Sequence, residues 1–322
     1  MSIGAAFCCV RSGSGAYNNA IDMSAWILRI LDSPDDFEAV ERLQRMVWPG
    51  SEIDIVPAHV LIAAAHHGGL VIGAYARKDP PELLGFVYGF PGLSSTPNGL
   101  RPMHYSHQLG VHPDHQGSGL GFALKRAQWQ MVRHQGLDRI TWTYDPLLSR
   151  NAHLNIAKLG AVCSTYRREV YGQMRDGLNL GLPSDRFVVD WWVNTKRVQR
   201  RLSHKARRRL DLAHFFAAGA QILNPTQTDQ SGWPRLISSS SSRSTGDGRR
   251  KQVGEALVLV EIPEDFLALK EADLELALEW RLHTREIFED LFEKGYLVTD
   301  FIHLPGPHPR SFYVLSHGES TL

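Results

Sequence analysis

The chain has 322 residues, 43% of them hydrophobic and 21% charged, which is enough for one large or two ordinary domains with a sizeable core. A formal net charge of +1 disfavours a dedicated nucleic-acid binder, and three cysteines, of which Cys8 and Cys9 are adjacent, supply neither a disulfide framework nor a zinc-ligand pattern. A reducing, cytoplasmic setting is expected. Residues 1–22 hold one apolar patch, Ile3 to Val10, with no basic flank; it is too short to span a membrane and poor as a signal peptide, so the segment reads as a disordered leader, with Met23 an alternative start.

Along the chain, Ala25 to Leu31 reads as a strand. Ser33-Pro34-Asp35-Asp36 is a helix start, with a capping side chain, a proline in the first turn and acids at the positive end. That helix carries Phe37, Val40, Leu43 and Val47 on one face and stops at Trp48-Pro49-Gly50. Pro57 opens a second helix that runs through Ala65. Leu70 to Ala76 and Leu83 to Phe90 read as a hairpin about Lys78-Asp79-Pro80-Pro81, Pro91 to Pro102 as a loop, and Met103 to Val111 as a strand.

Leu109 to Leu124, LGVHPDHQGSGLGFAL, passes from an alternating strand through a glycine-rich loop into a helix with Phe122, Leu124, Ala127, Trp129 and Val132 at helical spacing. Gly117, Gly119 and Gly121 put no side chains in the way of an anion and permit positive φ, so that successive N–H groups can converge at the helix N-terminus. The Walker Gly-Lys-Ser/Thr is missing, and the glycines do not have Rossmann spacing. What remains is Q-x-x-G-x-G, with Gln116, Gly119 and Gly121 in the fixed places. On this loop, and on the order of elements from Trp26 to about Val193, the chain resembles the GNAT superfamily of acyl-CoA-dependent N-acyltransferases.

The resemblance implies an α+β fold built on a mixed α/β sheet with splayed central strands. It implies acetyl-CoA or another acyl-CoA as co-substrate, and no metal. Leu109, Gly110 and Val111 would contact the cofactor's pantetheine arm, and Gln116, Gly117, Ser118, Gly119, Leu120 and Gly121 its pyrophosphate. By strict alternation Tyr105, His107, Leu109 and Val111 share one face of their strand. The family's glutamate base falls by count on Tyr105, so that carboxylate is missing. His107, with an ordinary pKa near 6.5, is then the candidate base, and a strand histidine without chemistry is the competing reading. His112 and His115 read as polar loop residues, not as metal ligands.

Arg139 to Tyr144 reads as the next strand, and Asp145 to Asn151 as a loop entering a helix capped near Ser149. Against the family pattern N-x-x-A-x-x-x-Y-x-x-x-G-F, with Gly160 fixing the register, Ala152 matches, while Ser149, Ile156 and Ala161 replace the asparagine, tyrosine and phenylalanine. The usual acid is therefore missing. Tyr144, Tyr166 or water are the candidate replacements, and unassisted departure of the thiolate is another. Asn151 and Asn155 are open to phosphate or pantetheine contact and equally to helix capping. Arg150 or Arg186 would suit a substrate carboxylate, with a structural ion pair as the competing reading, and Tyr105 borders the acceptor.

Past Val193, Lys196 to Arg209 holds eight Lys or Arg residues on a helix without interleaved aromatics, which reads as a solvated helix or linker. Asn224 to Gly254 is Ser-, Gly-, Thr- and Arg-rich and reads as a mobile loop. Ala256 to Ile262, Ala272 to Lys294, Tyr296 to His303 and Ser311 to Leu315 read as strand, helix, strand and strand. The expected organisation is thus a leader (1–22), an acyl-CoA-binding domain (23–195), a basic helix and flexible linker (196–254) and a C-terminal β-α-β-β subdomain (255–322). The expected activity is direct acyl transfer, acetyl or succinyl, to a primary amine on a small molecule, an amino acid being one candidate. No membrane or nucleic-acid partner is expected, and a homodimer is compatible with the sequence. The alternative is a catalytically weak or silent acyl-CoA-binding regulatory protein.

Overall fold

The computed structural model describes residues 26–50, 52–172, 181–203, 210–237 and 256–317. The leader, the part of the basic helix at 204–209 and most of the serine-rich stretch lie outside the described residues. In chain order the first half holds β1 (Trp26–Ile30), α1 (Pro34–Val47), α2 (Ala58–His66), β2 (Leu70–Ala76), β3 (Leu83–Thr96), β4 (Gly99–Val111), α3 (Leu120–His134) and β5 (Arg139–Tyr144). Then follow α4 (Ser149–Ala152), continued by a π-helical turn (His153–Lys158), β6 (Val162–Arg167), β7 (Arg186–Trp192), α5 (Lys196–Leu202), α6 (Leu212–Ala217) and β8 (Gln221–Ile222). The chain goes on through β9 (Thr226–Thr228), β10 (Pro234–Leu236), β11 (Leu257–Ile262), α7 (Phe266–Ala272), α8 (Leu274–Glu293), β12 (Leu297–Leu304) and β13 (Arg310–Ser316).

Eleven strands form one sheet in the order β1-β2-β3-β4-β5-β7-β6-β12-β13-β11-β8. All neighbours are antiparallel except β4 with β5 and β11 with β8. This is the mixed α+β architecture that the sequence predicts. Ser33 caps α1, its Oγ accepting from the Asp36 N–H at 3.2 Å, and Pro34 occupies the first turn. Phe37, Val40 and Leu43 of α1 and Leu61 of α2 pack with Val71, Phe86 and Tyr88 on one face of the sheet. Leu120, Leu124 and Ala127 of α3 pack with Ile72, Leu84 and Val87 on the other. Alternation along β2 and β3 is what feeds two separate cores.

Three stretches differ from the sequence reading. Pro91 to Pro102 is not a loop: β3 and β4 stay paired out to Thr96↔Gly99, and the turn is made by Pro97-Asn98, with Gly99 at a φ of +101° and the Thr96 hydroxyl donating to the Gly99 carbonyl at 2.7 Å. Turn-forming Gly, Ser and Pro residues at the ends of paired strands carry the same local signal as the turn itself. Part of the stretch read as a mobile loop, Thr226 to Leu236, is a short β9–β10 hairpin, anchored where the Trp280 indole N–H donates to the Pro234 carbonyl at 2.9 Å. The long C-terminal helix begins two residues later than its pattern suggests, since Asp273 caps α8 by accepting from the Leu276 N–H and thereby separates it from α7.

The C-terminal strands extend the sheet, β12 pairing with β6 at Val298↔Cys163. One apolar core runs across that join. Tyr144 of β5 and Phe187 and Trp191 of β7 meet Trp280 and Phe288 of α8 and Tyr313 of β13, with the Phe187 and Phe288 rings 4.7 Å apart. Buried ion pairs reinforce it. Arg281 of α8 grips the Asp145 carboxylate with both guanidinium nitrogens, Nη1 at 2.9 Å and Nη2 at 2.5 Å, and Arg285 does the same to Asp185 at 2.8 and 3.0 Å. Asp145 directly follows β5, so α8 fixes the end of that strand.

Candidate active site

β4 and β5 are paired at two rungs only, His104↔Ile140 and Tyr105↔Thr141. Beyond Tyr105 the two strands part. A parallel pair has no hairpin to hold it together, so the ladder stops where nothing else supports it. The His112 N–H donates to the Leu84 carbonyl on the β3 side, at 2.9 Å, and alternation therefore turns the main-chain groups of Leu109 and Val111 toward the opening. The Val111 carbonyl faces that side as well, where the Gln116 amide nitrogen lies 3.5 Å from it.

At the mouth of the opening lies the glycine loop. Gly117 and Gly119 have φ of +80° and +89°, and Gly119 is the N-cap of α3. A β-carbon on Gly117 would meet no atom within 4 Å, so the loop borders open space. Its shape is set locally: the Ser118 hydroxyl donates to the His115 carbonyl at 2.6 Å, and the His112, Pro113 and His115 carbonyls accept from the amides of His115, Gln116 and Ser118. The first-turn N–H groups of α3 have no partner inside the helix, which makes this end electropositive. Gln116, Gly117 and Ser118 are exposed. Gly110 is required for a different reason, because a β-carbon there would press into the Phe86 ring at 2.5 Å.

His107 corrects the expected alternation. β4 carries a bulge, Gly89 pairing with Ser106 and Tyr88 with Gln108, so His107 is the extra residue. A bulge shifts the period by one position. Before it His104 and Ser106 face α3, after it Leu109 and Val111 do, and Tyr105 and His107 look to the opposite face. There the His107 ring meets Tyr88 edge-on at 5.7 Å, with Phe90 at 6.0 Å and Tyr105 at 6.2 Å. One side of the imidazole remains open to solvent, while desolvation by these rings lowers its pKa below the usual 6.5. Tyr105 lies beside Tyr171 and Thr143, whose hydroxyls are 2.7 Å apart, and burial followed by the Tyr171 neighbour pushes its phenol up to about 12. Tyr105 therefore stays protonated at neutral pH.

Tyr144 cannot supply a proton. Its side chain is buried in the shared core, and its hydroxyl lies 3.1 Å from that of Tyr313, which itself donates to the Pro146 carbonyl at 2.7 Å. Burial raises both phenols far above their ordinary range. Arg186 is likewise engaged, buried and donating to the Asp185 carbonyl with Asp145 3.8 Å away, and this removes it as a carboxylate fork. Ser149 is not a side-chain cap. Leu148 is the N-cap of α4, and the Ser149 hydroxyl donates to Glu264 at 2.8 Å. Arg150 and Asn151 are exposed at the start of α4. Thr143 and Tyr171 escaped sequence reading because only the fold brings them beside Tyr105. Among the described residues no group of three or more His, Cys, Asp or Glu is placed to hold a metal, and no helix is long and apolar enough to cross a membrane.

Residues 35–160 match the model described as the acetyltransferase (GNAT) family. This segment belongs to the GNAT family. It contains the splayed β4–β5 pair, the glycine loop and α3. Solved structures similar to the chain include Arabidopsis thaliana NAA60 in complex with acetyl-CoA, at 16% identity over 52% of this chain and 99% of that one, with a TM-score of 0.42. Ard1 from Thermoplasma volcanium is 15% identical over 52% of this chain and 96% of that one, with a TM-score of 0.39. No curated protein sequence matches the chain. Outside the GNAT segment lie β1 at one end and β6, β7 and everything C-terminal to them at the other.

Proposed function

We propose that the chain is an acyl-CoA-dependent N-acyltransferase, acetyl being the group its family description favours, acting by direct transfer to a primary amine. The observation that carries this reading is the glycine loop, with Gly117 and Gly119 at positive φ and the free N–H end of α3 beside it, lying at the mouth of the β4–β5 opening. The amides between Gly117 and Gly121 that the loop leaves unpaired hold the pyrophosphate, and the main chain at Leu109 and Val111 pairs with the pantetheine arm. Acetyl-CoA supplies the activated acyl carbonyl. Across β4, His107 takes the proton from the acceptor ammonium, and the freed nitrogen attacks that carbonyl carbon. The C–N bond forms as the C–S bond breaks, the nitrogen gives up its second proton to water, and a main-chain N–H of Leu109 or Val111 donates to the carbonyl oxygen as its charge grows. With Ile156 in the place of the family tyrosine and Tyr144 sealed, the sulfur leaves as thiolate, tolerable for a thiol of pKa about 8.5.

Acetyl-CoA at millimolar concentration is expected to raise the thermal unfolding temperature, and a panel of amines and free amino acids to include one that releases thiol. No shift with acetyl-, succinyl- or free CoA would sink the reading. Binding without thiol release for any amine would favour the silent regulatory protein, which the replacement of the family's glutamate and tyrosine by Tyr105 and Ile156 makes the second reading.

The lowered pKa of His107 fixes the pH behaviour. A base works only when deprotonated, so kcat/KM rises with pH through the His107 pKa and levels off above it. The midpoint of that limb is expected below 6.5 and to be missing in His107→Gln, with kcat down about a hundredfold or more. An unchanged profile in the variant would show that another group takes the proton.

A further inference from the structure

Lys125 of α3 is 2% exposed, and none of its partners is a carboxylate. Its Nζ donates to the Ser106 hydroxyl and to the Gln128 side-chain carbonyl, both at 2.9 Å, and lies 3.8 Å above the Trp142 ring and 5.5 Å from that of Trp191. The place of those partners in the sheet is what matters. Tyr105↔Thr141 is the last rung between β4 and β5, so Ser106 and Trp142 are the first residues on each strand to separate, and Lys125 Nζ sits between them. Ser106 is also the residue before His107, where β4 bulges. Burying an amine without a counter-ion is costly, and a methionine would fill the same space at less cost. A methionine would not, however, donate hydrogen bonds to one strand while resting an amino group on the aromatic face of the other, and burial holds the pKa of that amine well below its ordinary value.

We infer that Lys125 is a positioning residue that sets the width of the β4–β5 opening and the start of the β4 bulge, and so the fit of the acyl-CoA arm. This rests on the reading given under Proposed function. The surrounding network is consistent with a fixed strut: Gln128 Nε2 donates to His104 Nε2 at 3.2 Å, and burial and the Lys125 charge hold that imidazole neutral, with its pKa pushed down to about 3.

The test is Lys125→Met, with acetyl-CoA titrated calorimetrically into the full chain and urea unfolding measured in parallel. Ser106 and Gln128 keep their own hydrogen bond, 3.0 Å long, so the substitution strands no polar group between them. The expected result is a Kd and KM for acetyl-CoA raised about tenfold or more, with an unfolding midpoint equal to or above that of the native chain. Ser106→Ala, which cuts the β4 end of the strut, should weaken binding in the same way. Native-like affinity in Lys125→Met would overturn the inference, as would affinity and stability falling together, the mark of a residue that only supports the core. Failure of the native chain itself to bind acetyl-CoA would overturn both this and the reading beneath it.

Discussion

Gly119→Val is expected to weaken acetyl-CoA binding by about ten- to a hundredfold. Gly119 holds a φ of +89° as the N-cap of α3, a conformation that a β-branched residue adopts only with strain. In the free variant the loop relaxes away from that geometry, and restoring it around the pyrophosphate costs about 1–3 kcal/mol. Since about 1.4 kcal/mol is a factor of ten in affinity, the penalty appears almost entirely in Kd. Gly117→Ala is the natural control. Its φ is also positive, but a β-carbon there meets open space, so it should lose less than Gly119→Val. Calorimetric titration decides the matter: unchanged affinity in Gly119→Val would remove the loop from the cofactor site.

The second large effect concerns stability. Asp145→Ala is expected to destabilise the chain by about 3–5 kcal/mol, because it leaves the Arg281 guanidinium buried without a carboxylate. Arg281 is 1% exposed, makes two hydrogen bonds to Asp145, and has no route to solvent. The contrast is the pair between Arg168 and Glu289, whose side chains are 59% and 32% exposed. Breaking that pair with Arg168→Met should cost no more than about 1 kcal/mol, since water already screens it. Equal losses for the two variants in urea denaturation would mean that the Asp145 site is far wetter than its packing indicates.

Much of the first half was legible in the sequence because its signals are local. Ser33-Pro34 announced α1, the glycines announced the turn into α3, and alternation gave β2 and the inner part of β3. The features that were not legible depend on partners far along the chain. The β4 bulge appears only when Tyr88 is seen opposite Gln108, and that one inserted residue moved His107 and Leu109, expected on one face, to opposite faces. Tyr144 is a reachable acid by sequence, yet Tyr313, 169 residues away, lies against its hydroxyl. Asp145 and Arg281 are 136 residues apart, and no periodicity within either segment points to the other. Nothing local marks Lys125 of α3 as buried. A lysine costs most in an apolar interior, and it is the packing of α3 on Ser106, Trp142 and Trp191 that places it there.

The ladder between β4 and β5 is two rungs long, and that between β6 and β12 is a single rung. The sheet is therefore three plates, β1 to β4, then β5 with β7 and β6, then β12 with β13 and β11 and the two-residue β8 at its edge, joined along two seams where main-chain bonds are sparse. Side chains, not backbone, set the angle between plates: Lys125 with its tryptophans at the first seam, and Phe187, Phe288 and the two buried arginine clamps at the second. Sequence drift along the seams can then tilt one plate against the next and retune what the opening admits, while the residues that line it stay the same.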